Sequence, residues 1–187
     1  MKILFSLILL LSINIMQAQE LPYYEIEESP KNYTAGSVAS RMVDGLGFRY
    51  YWSTEGLTEK DLVFQPTKKA RTTQETIEHI YDLSKTLLKY IKTKLEQSKK
   101  EETMSVIEMR AQTLYNLKAI SNRLKASKDI SEFDRKKEGK VTVPFYYLIN
   151  GPIADAIWHT GQLASFRRSS GNPINSKINH FSGTVRK

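Results

Sequence analysis

The stretch FYYLINGPIADAIWHTGQLASFRRSS, residues 145–170, decides the fold of this chain. It predicts a long helix that stops at Gly171, a residue suited to the left-handed end of a helix, with Pro173 beyond it. The dipeptide Gly151-Pro152 either divides this helix or marks its true start.

Three further helices are predicted upstream, because apolar residues there recur at spacings of three and four. They cover about residues 37–52, 72–98 and 102–127. Thr72 or Thr73 can cap the second helix, because each is followed by residues suited to a first helical turn. No segment shows sustained two-residue alternation between hairpin turns. The sequence therefore predicts an all-α fold, with four helices in a bundle.

The predicted organisation is a leader, one domain and two irregular flanks. Residues 1–18 form a predicted signal peptide, in which Lys2 precedes an almost unbroken apolar run. Residues 19–36 are an irregular lead-in, 37–174 the helical bundle and 175–187 a loose C-terminal tail.

The leader predicts an exported protein, in the periplasm first and the extracellular space as the alternative. Its apolar run is shorter than the roughly 20 residues of a membrane-spanning helix, so stable membrane insertion is not expected. The chain contains no cysteine, which excludes disulfides, thiolate metal sites and cysteine nucleophiles.

The chain is basic, with a formal net charge of +8. Because export separates the protein from nucleic acid, we interpret this charge as a solvated surface and expect no nucleic-acid partner. One alternative is a basic module that binds envelope anions through Arg167 and Arg168. These arginines could also attract an anionic substrate, belong to a dimer contact or lie on a solvated face.

Two of the three histidines of the chain are candidate metal ligands. Asp155 and His159 are four residues apart and so share one face of the last helix. His79 lies between Ile77 and Ile80 on the predicted core side of the second helix. Two imidazoles and one carboxylate can hold a divalent metal and leave positions for water or substrate. The alternative is a helix-surface pair and a hydrogen-bonded core histidine.

Two neighbours of this constellation could orient its ligands, namely Glu75, one turn before His79, and Gln162, three residues after His159. Glu75 is also the candidate catalytic base. We assign no role to His180 in the polar tail. Several aromatic residues either line a pocket or belong to the core: Trp52, Trp158 and the pairs Tyr50-Tyr51 and Tyr146-Tyr147.

The chain resembles the DinB-like (DinB/YfiT) superfamily over about residues 38–174. The segments that carry the resemblance are DAIWHTGQ (155–162) with its His-x-Gly-Gln motif, FRR (166–168), GNPI (171–174), the second-helix stretch 71–83 and the first-helix stretch 42–52. The resemblance implies a four-helix bundle with up-down-down-up connections, a three-ligand divalent-metal centre between helices and a homodimer. Characterised members of the family include metal-dependent transferases and isomerases that use low-molecular-weight thiols.

Asp155 departs from the family pattern, which commonly has a histidine at that place. Because an aspartate is a harder, anionic oxygen ligand, iron and manganese become candidates beside zinc and nickel. The leading hypothesis is a metal-dependent hydrolase or thiol transferase acting on a small-molecule substrate, with the metal held by His79, Asp155 and His159. The alternative is a non-catalytic exported protein that binds a metal or a small ligand.

Overall fold

The computed structural model describes residues 20–93, 95 and 103–187, and the predicted signal peptide lies outside them. The described chain is mostly helical, as predicted. Its helices are α1 (Ala35–Thr54), α2 (Glu59–Leu62), α3 (Thr73–Tyr90), α4 (Val106–Lys125), α5 (Phe145–Leu148) and α6 (Ala154–Ser170). No helix in this part of the chain is both long and apolar enough to cross a membrane.

Two short antiparallel hairpins accompany the helices. They pair β1 (Arg135–Lys137) with β2 (Lys140–Val143) and β3 (Ile178–Asn179) with β4 (Thr184–Val185). The sequence did not predict them, because strands of two to four residues are too short to show an alternating pattern.

Three of the long helices begin with a capping box, in which a hydroxyl accepts from a helical amide and a side chain three residues on returns the bond. The pairs are Thr34 with Ser37 in α1, Thr72 with Glu75 in α3 and Ser105 with Glu108 in α4. Of the two threonines that could cap α3, the structure uses Thr72. The cap at Ser105 also explains why α4 begins at Val106 and not near residue 102.

The four long helices contact one another in a ring. Helix α1 packs against α4 and α6, and α3 packs against the same two helices. One apolar cluster joins all four; its fully buried members include Val43, Leu46, Ile77, Ile80, Leu114, Leu117, Ile120 and Leu163. This cluster holds α3 and α6 in a fixed relation to each other.

Helix α3 ends at Tyr90, so the predicted extension to about residue 98 is wrong. Lys92 follows with a φ of 55°, in the left-handed region that breaks a right-handed helix. Residues 94 and 96–98 of the predicted extension lie outside the described chain.

The predicted last helix is divided, as Gly151-Pro152 allowed. Residues Ile149–Ile153 form one wide π turn between α5 and α6. Within it, Gly151 has φ −86° and ψ −106°, and Pro152 has no amide hydrogen to donate. The turn places Asp155 in the first turn of α6.

The C-terminal segment 175–187 is not the loose tail that the sequence predicted. Ile178 is buried against Phe48 and Trp52 in a second, smaller core. The amide of Ile26 donates to the Gly183 carbonyl at 2.8 Å, which ties the hairpin to the lead-in. Apolar burial and backbone pairing therefore fix both flanks of the domain.

Candidate metal centre

The candidate site lies where α3 and α6 face each other. His79 stands in the second turn of α3, between the buried Ile77 and Ile80. Asp155 and His159 stand one turn apart on α6. The prediction that these three side chains meet is confirmed: one ligand atom from each lies within 4.8 Å of the others. We call His79, Asp155 and His159 the triad.

The Asp155 carboxylate lies between the two imidazoles. Its Oδ2 is 3.1 Å from His79 Nε2, and its Oδ1 is 3.4 Å from His159 Nε2. The imidazole rings are nearly perpendicular, with their centroids 4.5 Å apart. Each carboxylate oxygen therefore faces the Nε2 atom of a different histidine.

These separations fit a divalent ion. Nitrogen and carboxylate ligands bind zinc at about 2.0–2.2 Å, so that two ligands of the same ion lie about 3.0–3.5 Å apart. The 3.1 Å and 3.4 Å separations, which involve different oxygens of Asp155, fall in this range. One oxygen and the two nitrogens together lie within 4.8 Å, so the side chains would draw together around an ion. Two imidazole nitrogens and one carboxylate oxygen also form a set that zinc, nickel, iron and manganese accept.

The triad is open on one side. The side chain of Asp155 is 42% exposed, that of His79 26% and that of His159 12%. A structural zinc site normally has four protein ligands, whereas a catalytic site has three and keeps a position for water or substrate. The described residues contribute three such ligands here.

Gln162 orients His159, in the position that the sequence suggested. Its Oε1 lies 3.1 Å from His159 Nδ1. Because an amide oxygen can only accept, Nδ1 carries the hydrogen and donates it. The lone pair of Nε2 then faces Asp155, as metal ligation requires.

Glu75 is engaged elsewhere. Its Oε2 accepts hydrogen bonds from the Thr72 amide at 2.7 Å and the Thr72 hydroxyl at 3.0 Å. These bonds, from the amide first, lower the pKa of Glu75. A lower pKa makes the carboxylate a weaker base, and its catalytic role stays a prediction.

No family model, curated protein or solved structure matches the chain. The function is therefore inferred from the residues of the chain itself.

Arg167 is buried. The prediction that it binds an anion, contacts a second copy of the chain or lies on a solvated face is therefore wrong for this residue. It is only 5% exposed. Its guanidinium donates to the carbonyls of Trp52, Glu55 and Asn172 at 2.6–2.9 Å. These bonds fasten the end of α6 to the end of α1. The neighbouring Arg168 is exposed.

Asp61, which sequence reasoning missed, is the centre of a buried polar cluster beside Arg167. The carboxylate is 2% exposed and accepts from Ser170, from Asn172 at 2.7 Å and from the Thr58 amide at 2.9 Å. Burial raises the pKa of Asp61, but these hydrogen bonds outweigh it and hold the pKa well below its usual range. The sequence signal was the capping pattern Thr58-x-x-Asp61. We call Thr58, Asp61, Arg167, Ser170 and Asn172 the Asp61 cluster.

The aromatic residues divide between core and surface. Tyr50 and Trp52 are buried, whereas Tyr146, Tyr147 and Trp158 are mostly exposed. His180 lies outside the triad and meets the Phe48 ring edge-on, with the centroids 5.9 Å apart. None of these contacts adds a ligand to the triad.

Proposed function

We propose that the protein binds one divalent transition-metal ion through His79, Asp155 and His159 and acts as a metal-dependent hydrolase or thiol transferase. The observation that carries this proposal is the convergence of the three ligand atoms within 4.8 Å on a partly exposed surface. A divalent ion, when bound, lowers the pKa of a water, thiol or hydroxyl group and so supplies a nucleophile at neutral pH.

The side chains of the site have distinct roles in this proposal. His79 and His159 supply neutral nitrogen ligands, and Gln162 keeps the His159 hydrogen on Nδ1. Asp155 supplies an anionic oxygen, which admits iron and manganese beside zinc and nickel. A small-molecule substrate approaches from the side of Asp155, because this side chain is the most exposed of the three.

We further propose a DinB-like four-helix bundle with up-down-down-up connections, which orientations of helix pairs support. Gly36 at the start of α1 lies against the Leu124 carbonyl near the end of α4, where a side chain would collide. Arg110 near the start of α4 pairs with Glu55 at the end of α1. These contacts favour an antiparallel arrangement of α1 and α4.

Contacts of α6 support the proposed orientations of the other helix pairs. Arg167 near the end of α6 bonds to Trp52 near the end of α1, which favours a parallel pair. Phe64 accepts from Thr73 at the start of α3 and packs on Phe166 near the end of α6, which favours an antiparallel pair. Helices α3 and α4 would then run parallel, as the proposed connections require.

Export and dimerisation belong to the same proposal. The apolar leader at residues 1–18 supports export to the periplasm or the extracellular space. Export favours hydrolysis over thiol transfer, because thiols are kept reduced mainly in the cytosol. The homodimer is carried only by the family resemblance.

The second candidate function is a non-catalytic exported protein that binds a metal or a small ligand. The bonding of the Glu75 carboxylate to Thr72 favours it, because the candidate base is directed to the start of α3. Metal binding is common to both candidates, and turnover separates them.

Elemental analysis tests the shared claim. The full protein is purified without chelator or affinity-tag histidines, together with His79→Ala and the control His180→Ala. We expect about one equivalent of a transition metal in the native protein and in the control, and none in His79→Ala, which lacks one of three ligands. Hydrolysis or thiol transfer that disappears with the metal would favour the enzyme.

Two outcomes would contradict metal binding. One is the same metal content in His79→Ala and His180→Ala. The other is a native protein that takes up none of zinc, nickel, iron or manganese. Asp155 would then only accept a hydrogen bond from His79. Metal without turnover would support the non-catalytic alternative.

A further inference from the structure

A cavity lies between α1, the lead-in and the C-terminal hairpin, apart from the triad. Its volume is about 690 Å³, within the range of about 300–1,000 Å³ typical of small-molecule sites. Ile157 of α6 lines one wall, and residues of the β3–β4 turn line another. We call this cavity the α1 groove.

The α1 groove is separate from the triad. Ile157 follows Asp155 by two residues, which is a rotation of roughly 200° around the helix. A smaller cavity of about 280 Å³ continues the groove along the same side of α6, past Gly161 and Ala164. The groove and the triad therefore occupy opposite flanks of α6.

Apolar side chains line much of the α1 groove. Val38, Met42 and Leu46 follow one face of α1, and Phe181 stands fully exposed at the edge of the groove. Exposed apolar surface of this kind on one side of a cavity is typical of a ligand or partner site. An apolar ligand body would cover it.

Two arginines give the α1 groove a positive charge. Arg41 and Arg49 line it, and the residues that line it include no aspartate or glutamate. Arg41 donates to the Glu27 carbonyl and the Ser29 hydroxyl, and Arg49 donates to the Gly45 and His180 carbonyls. All of these acceptors are neutral.

Neither Arg41 nor Arg49 therefore has an anionic partner among the described residues. Each also keeps N–H groups that these bonds do not use. Arg49 lies at the junction of the two cavities, next to His180. Burial, and then the charge of Arg49, lower the pKa of His180, so Arg49 supplies the positive charge at neutral pH.

We propose that the α1 groove binds an amphiphile with a carboxylate head group and an apolar chain. The carboxylate pairs with Arg49, and the chain lies along Val38, Met42 and Ile157. A guanidinium recognises a carboxylate with paired, charge-assisted hydrogen bonds, and the apolar wall selects the chain. This site requires no metal.

The test is calorimetric titration of the full protein with decanoate, compared with 1-decanol as a neutral probe and acetate as the head group alone. Arg49→Gln removes the charge, and Arg168→Gln, an exposed arginine outside the groove, is the matched control. A hydrogen bond to a charged group contributes about 1.5–3 kcal/mol, so decanoate affinity should fall about 10–100-fold in Arg49→Gln. It should stay unchanged in Arg168→Gln, and acetate should bind far more weakly than decanoate.

A second variant is needed because Arg49 also donates to the His180 carbonyl in the β3–β4 turn, so Arg49→Gln could loosen that hairpin. Val38→Glu places a carboxylate in the groove at a half-exposed position and should lower decanoate affinity at least tenfold, with a smaller effect on 1-decanol. His79→Ala should bind decanoate as the native protein does, which separates this site from the proposed metal site. The proposal is overturned if decanoate does not bind, if 1-decanol binds as tightly, or if both groove variants keep native decanoate affinity.

Discussion

Helix α6 carries one polar cluster near each end, and the two differ in how completely their polar atoms are bonded. In the Asp61 cluster, both carboxylate oxygens accept hydrogen bonds and the aspartate is buried. In the triad, Asp155 meets only two imidazoles and remains partly exposed. Each cluster is built around one aspartate, but only the triad is open to solvent.

The difference separates a structural role from a binding role. Buried polar groups that are fully hydrogen-bonded specify and stabilise a fold, because each lost partner leaves an unpaired group away from water. A half-exposed set with free lone pairs contributes less to stability and can accept a ligand. The Asp61 cluster should therefore govern unfolding, and the triad should govern metal affinity.

Arg167→Met should have the largest effect on stability. It leaves the carbonyls of Trp52, Glu55 and Asn172 without their donor and Asp61 without a nearby positive charge. Removing one partner of a buried charged cluster costs about 3–5 kcal/mol, so the free energy of unfolding in urea should fall by that amount.

The matched control is Arg168→Met, at the exposed neighbouring position, which should change the free energy of unfolding by less than about 0.5 kcal/mol. Metal content per folded molecule should be the same in both variants. Equal stabilities would show that the buried arginine does not fasten α6 to α1.

Asp61→Asn should lower the free energy of unfolding at pH 7 by about 2 kcal/mol. The folded state depresses the pKa of Asp61, so its ionised form contributes stability that is present above the unfolded pKa of about 4 and is lost as pH falls. The stability difference between the native protein and Asp61→Asn should therefore shrink below about pH 4.

Urea titrations at several pH values measure this difference, and Asp82→Asn is its control. Asp82 is exposed and pairs with Lys85 on the same helix, so it should contribute less than about 0.5 kcal/mol. A difference that stays constant from pH 7 to pH 3 would contradict the proposed role of the Asp61 charge.

Gln162→Leu should weaken metal binding about 10–100-fold, as the loss of a residue that orients a metal ligand typically does. Its effect on metal-free stability should be less than about 1 kcal/mol, because the triad is partly exposed. Competition with a chelator measures the affinity. The control Gln74→Leu, an exposed glutamine on α3, should keep native affinity, and equal affinities in both variants would remove Gln162 from the site.

Asp155→Asn should give the smallest stability change, less than about 0.5 kcal/mol in metal-free protein, because exposed ion pairs contribute little. Its metal affinity should fall sharply in the same samples. A stability loss above 2 kcal/mol without metal would instead make the triad a structural cluster like that of Asp61.

The sequence predicted the parts of the molecule that periodic patterns encode. Four long apolar stripes predicted the four long helices, and the four-residue spacing of Asp155 and His159 placed both on one face. The position of His79 between Ile77 and Ile80 placed it on the core side of α3. Metal binding itself stays a prediction.

The missed features depend on contacts between residues distant in the chain. Nothing near Arg167 in sequence indicates that its guanidinium bonds to α1, 112–115 residues away. The β3–β4 hairpin escaped detection because each strand has two residues. Arg49 and His180, which meet in the α1 groove, are separated by 131 residues. Such contacts have no periodic signature.

The pairing of the lead-in with the C-terminal hairpin bears on how the chain is assembled during synthesis. Ile26 bonds to Gly183, and the Val185 amide donates to Glu25 from 160 residues away. On the ribosome, residues 25 and 26 emerge long before the hairpin exists, so these two bonds can form only after nearly the whole chain has been translated, whereas the contacts of the lead-in with α1 can form earlier. The α1 groove, whose walls come from both segments, is completed last of all.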